Sequence, residues 1–201
     1  MPLLETSLVG LILWALIGYL AGSIPFGMLL ANWMNLGNLR DIGSGSIGAT
    51  NVLRTGSKAG AAATLILDAA KGAVVVLLAR AITGEDTAQL AGLAAMIGHC
   101  YPVWLRFKGG KGVATFLGLM LALSWPVGVG CCLVWLLGAG LFRTSSMASL
   151  MSASASSFLA VFVSDVPLLI FSVLLTLLIF WRHRSNIARI RAGTEPKIGK
   201  T

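Results

Sequence analysis

Residues 6–34 carry no formal charge, and neither do residues 87–105, 112–142, 144–164 or 166–181. A helix that crosses a bilayer needs about 20 mostly apolar residues. The first run is long enough. The last lies near the lower limit, and 112–142 is too long for one ordinary crossing. Only 11% of the 201 residues are charged and the mean hydropathy is +0.88. A soluble domain is about one-quarter charged. So little charge cannot cover a water-facing surface, and lipid is the expected solvent. No basic stretch precedes the first run, which far exceeds the apolar core of a signal peptide. The first helix is therefore expected to remain in the mature protein.

The basic residues give an orientation, because cytoplasmic loops are enriched in Lys and Arg. With Met1 and Glu5 outside, the first run crosses inward and delivers Arg40, Arg54 and Lys58 to the cytoplasm. A second crossing at 59–82 leads to Glu85 and Asp86 outside. A third returns to Arg106, Lys108 and Lys111. The long run then divides into two short crossings with a turn at Ser124-Trp125-Pro126, where proline suits a helix break. This keeps Arg143 inside. A sixth crossing reaches Asp165, and a seventh ends at Arg182. All of the 15 basic residues except Lys71 and Arg80 then lie inside, Lys200 among them. The expected fold is an all-α integral membrane protein of about seven helices in one domain, 1–201. Its N-terminus lies outside and its C-terminus in the cytoplasm. Five crossings with a re-entrant segment are the alternative. The net charge of +8 reports topology and anionic lipid rather than nucleic acid. Cys100, Cys131 and Cys132 lack zinc-type spacing and suggest no disulfide framework.

Within the second helix Asp68 and Lys71 are three residues apart, a spacing that lets them pair on one helix side. Charges inside a membrane are costly and usually paired. Ser149, Ser152 and Ser156 recur at spacings of three and four, as in close helix packing.

Three segments can carry chemistry. Gly43-Ser44-Gly45-Ser46-Ile47-Gly48-Ala49-Thr50-Asn51 matches a dinucleotide fingerprint literally, but no βαβ unit surrounds it. Its glycines still let backbone N–H groups approach an anion, Ser44 adds a hydroxyl, and Arg54 adds a planar fork suited to phosphate. A flexible loop with a topogenic arginine fits the spacing equally well. The second segment is Lys108-Gly109-Gly110-Lys111-Gly112. It is no Walker A loop, since Gly112 stands where Ser or Thr would hold magnesium. Two lysines and a following helix N-terminus still make a compact anion site. His99, just before it, reads first as a structural histidine. In the third segment, Arg182-His183-Arg184-Ser185-Asn186, either the arginines anchor to lipid phosphates or His183 and Asn186 face a polar ligand together. Ser146 lies at the same membrane face.

Together these segments resemble the bacterial acyl-phosphate:glycerol-3-phosphate acyltransferases, the PlsY family. The matching residues begin with Gly22-Ser23-Ile24-Pro25-Phe26-Gly27 and Gly43-Ser44-Gly45, then Ile47-Gly48-Ala49-Thr50-Asn51 and Arg54. They continue through His99, Tyr101-Pro102-Val103 and Phe107-Lys108-Gly109-Gly110-Lys111-Gly112-Val113-Ala114-Thr115. Arg182-His183-Arg184, Asn186-Ile187 and Arg189 complete the set. The family usually carries Asn where this chain has Ser46, which leaves the role of that position open.

The resemblance implies transfer of a fatty acyl group from acyl phosphate to the 1-hydroxyl of glycerol 3-phosphate. The products are 1-acyl-glycerol 3-phosphate and phosphate. It implies a multi-pass protein of the bacterial inner membrane with its active site facing the cytoplasm. Membrane lipid is its surroundings, it works as a monomer, and no cofactor, metal or nucleic acid takes part. Arg54, Lys111, His183 and Asn186, with Ser146, are expected to hold glycerol 3-phosphate. Ser44 is expected to take part in catalysis. Gly43, Gly45, Ser46, Asn51, Lys108, Gly109, Gly110 and Gly112 are expected to bind substrate, chiefly the acyl phosphate. The His-x4-Asp dyad of other acyltransferases is absent, since Trp104 and Ala188 stand five positions after His99 and His183. Direct transfer in a preorganised electrostatic site is the expected mechanism. The base would be the acceptor's own phosphate, or else His183. An acyltransferase with another donor and an organophosphate transporter are the competing readings.

Overall fold

The computed structural model describes residues 6–163 and 165–198. The placements of Met1, Glu5 and Lys200 made above lie outside these. Among the described residues there are ten α-helices and no strand. They are α1 (Leu8–Gly22), α2 (Phe26–Trp33), α3 (Ala49–Leu53), α4 (Lys58–Ile82), α5 (Glu85–Cys100), α6 (Val113–Leu123), α7 (Trp125–Phe142), α8 (Ser145–Phe162), α9 (Val166–Arg182) and α10 (Arg184–Arg191).

The first uncharged run is a broken helix. Pro25 cannot donate a helical hydrogen bond, and the chain interrupts at 23–25 before resuming as α2. The long run divides as its length requires. The break falls on Ser124 alone, while Trp125 and Pro126 open α7, where proline's missing N–H costs nothing. The chain reverses there. A Cβ on Gly128 would press on the backbone of Leu121 and Met120, seven and eight residues back, which is impossible along one continuous helix.

α5 is the buried centre. Ala88, Ala91, Ala95, Met96 and Cys100 are fully enclosed. α1 lies so close to it that a Cβ on Gly18 or Gly22 would collide with the carbonyl oxygens of Ala91 and Ala95. In lipid, where burial of apolar surface drives little, such small-residue contacts supply the packing attraction between helices. α8 meets α7 similarly: Ser152 Oγ donates to Cys131 O at 2.8 Å, and Trp135 Nε1 donates to Ser149 Oγ at 3.1 Å.

The outer surface is apolar. On α1, Leu8, Val9, Ile12, Leu13 and Leu16 are more than half exposed, as are Leu133, Leu136, Leu137 and Leu141 on α7. In water each would forgo about 1.5–3 kcal/mol of burial; facing acyl chains they forgo almost none. Four helical segments have the length and composition of a span: Leu8–Trp33, α4, α7 and α8. A fifth is α9 with α10, if that pair, bent by 63°, counts as one. α5 and α6, at 16 and 11 residues, are shorter than that standard.

Asp68 and Lys71 pair as their spacing predicts, at 2.7 Å and almost fully buried. The two acids expected in an outer loop belong to the first turn of α5. Glu85 pairs with Arg80 at 2.6 Å, and Asp86 accepts from Thr6 N at 2.9 Å. The cysteines form no disulfide.

Candidate active site

The loop before α3 turns through Gly43 and Gly45, both at positive φ (+53° and +65°), which glycine adopts without strain. Asn51 clips the loop shut. Its Oδ1 accepts from Ser44 N at 3.2 Å and its Nδ2 donates to Leu39 O at 2.9 Å. A Cβ at Gly43 would lie 2.6 Å from Arg54 Nη1, so the absent side chain is what lets the guanidinium cross the loop. No carboxylate pairs with Arg54 among the described residues.

The second loop packs onto the first. Arg40 donates to both Gly45 O (3.3 Å) and Lys108 O, tying the two together. Gly109 and Gly110 lie flat on the end of α5, where their N–H groups reach Cys100 O and His99 O at 3.2 and 3.1 Å. From the other side Arg182 donates to Gly110 O (3.0 Å) and Gly109 O (3.1 Å), with its guanidinium over the Tyr101 ring. Arg182 therefore spends Nε and Nη2 on the loop, a role that the lipid-anchor reading did not include. Gly112, at φ +84°, turns the chain into α6.

Both loops open on one cavity of about 440 Å³. Ser44, Ser46, Asn51, Arg54, Lys111, Gly112 and Asn186 line its polar end, while α4, α6 and α7 contribute an apolar wall that includes Leu65, Leu117 and Leu136. Gly43, Gly45, Lys108, Gly109 and Gly110 stay behind the wall as loop framework. Ser146 and His183 are buried just outside it, and Ser145 and Ser149 stand in the lining instead.

Glu195 had no place in the sequence reading. It lines the cavity, and its carboxylate accepts from Ser146 Oγ (2.7 Å), Asn186 Nδ2 (2.6 Å) and Arg189 Nε (2.8 Å). Burial pushes the carboxyl up, but these three bonds outweigh it and hold the group below the usual glutamate range. Asn186 Oδ1 is buried and has no hydrogen-bond partner among the described residues. One signal was available: Glu195 is the only acid after Asp165, in a tail rich in Lys and Arg.

The two cavity-side bases are tuned differently. Burial pulls Lys111 down to about 8, with Glu195 opposing and Arg189, Arg54 and Arg182 assisting. The Lys111 cation therefore predominates below about pH 8 and is lost above it. In wild type kcat/KM is expected to fall as pH rises through that value, and Lys111→Arg should move the limb beyond the assay range. A profile still flat at pH 9 would remove Lys111 from phosphate binding. His183 is held down to about 4 by burial and then by Lys111. Its Nδ1 contacts Ile179 O at 2.8 Å, and a carbonyl only accepts. The ring is therefore neutral at pH 7, with its lone pair on Nε2, and it pairs with no phosphate as a cation.

An apolar helical bundle enclosing a cationic, Gly-lined cavity beside a hydrocarbon-compatible wall defines an integral membrane protein that handles anionic, lipid-like molecules. The family profile described as glycerol-3-phosphate acyltransferase matches residues 12–193. A protein of that description from Roseobacter denitrificans is 66% identical over 198 residues, covering 98% of this chain and 99% of its own. One from Ruegeria pomeroyi is 62% identical over 200 residues, covering 100% and 98%. Among solved structures, PlsY (YgiH), an integral membrane glycerol 3-phosphate acyltransferase, superposes in its glycerol 3-phosphate form with a TM-score of 0.88. It is 38% identical and covers 94% of this chain and 96% of that one. Its lysophosphatidic acid form gives 0.85 at 36% identity, covering 94% and 95%. This chain belongs to the glycerol-3-phosphate acyltransferase family. It is a PlsY-type acyltransferase, as the motifs implied.

Proposed function

We propose that this chain transfers a fatty acyl group from acyl phosphate to the 1-hydroxyl of sn-glycerol 3-phosphate, giving 1-acyl-glycerol 3-phosphate and phosphate. The observation that carries this reading is the convergence of two Gly-rich loops, with Arg54, Lys111 and Asn186, on a cavity whose other wall is apolar. Two phosphates and one acyl chain need that combination. Arg54, Lys111 and Asn186 hold the acceptor, with Ser146 and His183 supporting them from behind. Ser44, Ser46 and the cavity end of the second loop, Lys111–Gly112, hold the donor phosphate, with Lys108, Gly109 and Gly110 framing that loop from behind.

The acceptor hydroxyl oxygen adds to the acyl carbon, the bond from that carbon to the phosphate oxygen breaks, and phosphate leaves with the electron pair. Acyl phosphate is already activated, so no acyl-enzyme is needed. The proton goes to the acceptor's own phosphate. The second ionisation of a phosphate monoester lies near ~6, above the value of about 4 held by His183, so the phosphate is the stronger base. His183→Gln should leave the acid limb of kcat in place; loss of a limb near pH 4 would make His183 the base instead.

The same reading includes seven crossings, with the N-terminus outside, the C-terminus and cavity cytoplasmic, and a monomer working in the bacterial inner membrane. The reversal at Ser124 supports it, since it gives α6 and α7 opposite directions. The deciding experiment uses purified protein, palmitoyl phosphate and glycerol 3-phosphate. Phosphate release that depends on glycerol 3-phosphate, with lysophosphatidate formed, is expected. Turnover only with acyl-CoA, or uptake into liposomes without turnover, would overturn the reading.

A further inference from the structure

Behind the second loop lies a buried polar cluster that the transfer step above does not use. Lys71 Nζ stands 2.7 Å from Asp68 Oδ1, 2.9 Å from His99 Nδ1 and 2.8 Å from Ile24 O. The last of these carbonyls sits at the break between α1 and α2. An ammonium group has three protons and no lone pair, and each contact takes one proton. His99 Nδ1 must therefore accept, and the neutral ring carries its proton on Nε2. Asp68 Oδ1 is 3.7 Å from Nδ1, beyond hydrogen-bond range, so the carboxylate acts on the ring only through Lys71.

The Nε2 edge points at the loop. A Cβ on Gly110 would collide with Nε2, so the ring lies flat beneath that glycine. The loop is fixed over it by Gly110 N to His99 O at 3.1 Å and by Arg182 Nε to Gly110 O at 3.0 Å. His99 is only 5% exposed, yet it and Asp68 line the cavity. Among the described residues Nε2 meets no acceptor.

We propose that His99 Nε2–H donates a hydrogen bond to the phosphate of the acyl donor seated in the cavity beside Lys111 and Gly112. In this proposal Lys71, held by Asp68, is the positioning residue that fixes the tautomer. The proposal rests on the acyl-transfer reading. Its chemistry is specific: a neutral donor steadies charge gathering on the departing phosphate. The opposite tautomer would aim a lone pair at that anion. The loop needs glycine at 110 because the imidazole occupies the space of a side chain.

The chain has two histidines, so ¹⁵N-histidine labelling in His183→Gln leaves His99 as the single signal. We expect a protonated Nε2 and an imine-type Nδ1, with the Nε2 proton moving downfield when inorganic phosphate is added. In kinetics with palmitoyl phosphate, glutamine reaches the position of Nε2 whereas asparagine reaches only that of Nδ1. His99→Gln should therefore keep kcat/KM for the donor within about tenfold of wild type. His99→Asn should lose about 100-fold, with the KM for glycerol 3-phosphate little changed. A proton on Nδ1, a phosphate-insensitive Nε2, or rescue by asparagine equal to that by glutamine overturns the proposal. Wild-type protein inactive toward palmitoyl phosphate would instead sink the functional reading, and the tautomer measurement would still stand.

Discussion

Arg54→Ala is expected to reduce kcat/KM for glycerol 3-phosphate by about a thousandfold, with the protein still folded in detergent. Two charge-assisted bonds to one phosphate contribute roughly 4 kcal/mol, and every 1.4 kcal/mol is tenfold. Among the described residues no carboxylate pairs with this guanidinium, and Gly43 clears the space it crosses. Its removal therefore takes away ligand contacts and little packing. Arg54→Lys keeps the charge but not the planar fork, so it should recover only part of the loss. The measurement is steady-state phosphate release, with a thermal unfolding trace of each variant as the control. Rates within tenfold of wild type for Arg54→Ala would remove Arg54 from the acceptor site.

Glu195 gives the second large effect, and it differs in kind. Glu195→Ala strands Ser146 Oγ, Asn186 Nδ2 and Arg189 Nε, three donors that share one carboxylate. Ser146 Oγ and Asn186 Nδ2 are buried, and each buried donor left unpaired costs about 1–3 kcal/mol; Arg189, more than a third exposed, can turn to water. A clear fall in melting temperature is expected, with about a hundredfold loss of activity because Asn186 is no longer oriented. Glu195→Gln keeps the shape but loses the charge. It also removes the neighbour that raises the Lys111 pKa, so the alkaline limb should move to lower pH. The carboxyl is held below its ordinary value in the fold, so its stabilisation is complete above that ordinary value of 4.5. It is lost as pH falls through the folded value. The gap in melting temperature between wild type and Glu195→Gln should therefore be full at pH 7 and shrink below about pH 4. A Glu195→Ala protein with wild-type activity and melting temperature would reduce the tail to an ornament of the fold.

Much of the frame was legible because lipid imposes it. Runs without charge mark helices: α8 and α9 fall within a few residues of such runs, and α4 matches the crossing placed at 59–82. The excess length of 112–142 demanded a break, and the Ser124-Trp125-Pro126 sequence located it. The Asp68–Lys71 pair followed from spacing alone. The functional loops were legible through their glycines and cations, though what each residue does in them was not. Asn51 and Ser44 read as ligand groups of one segment, yet Asn51 spends its amide holding that segment closed. Arg182 read equally well as a lipid anchor, but its guanidinium props the Gly109–Gly110 turn.

The sequence by itself determined the solvent, the long helices, the two Gly-rich cationic loops and, through its ordered motifs, the family. These are encoded locally, in charge-free length, glycine and neighbouring cations. Only the tertiary structure decided which polar groups remain free to meet a ligand. That is a matter of pairing across long separations: Arg40 with Lys108, Gly110 with Arg182, Lys71 with His99, and Ser146 with Glu195. A buried donor or acceptor is satisfied by whatever the fold brings within about 3 Å, and no spacing in the chain announces that partner.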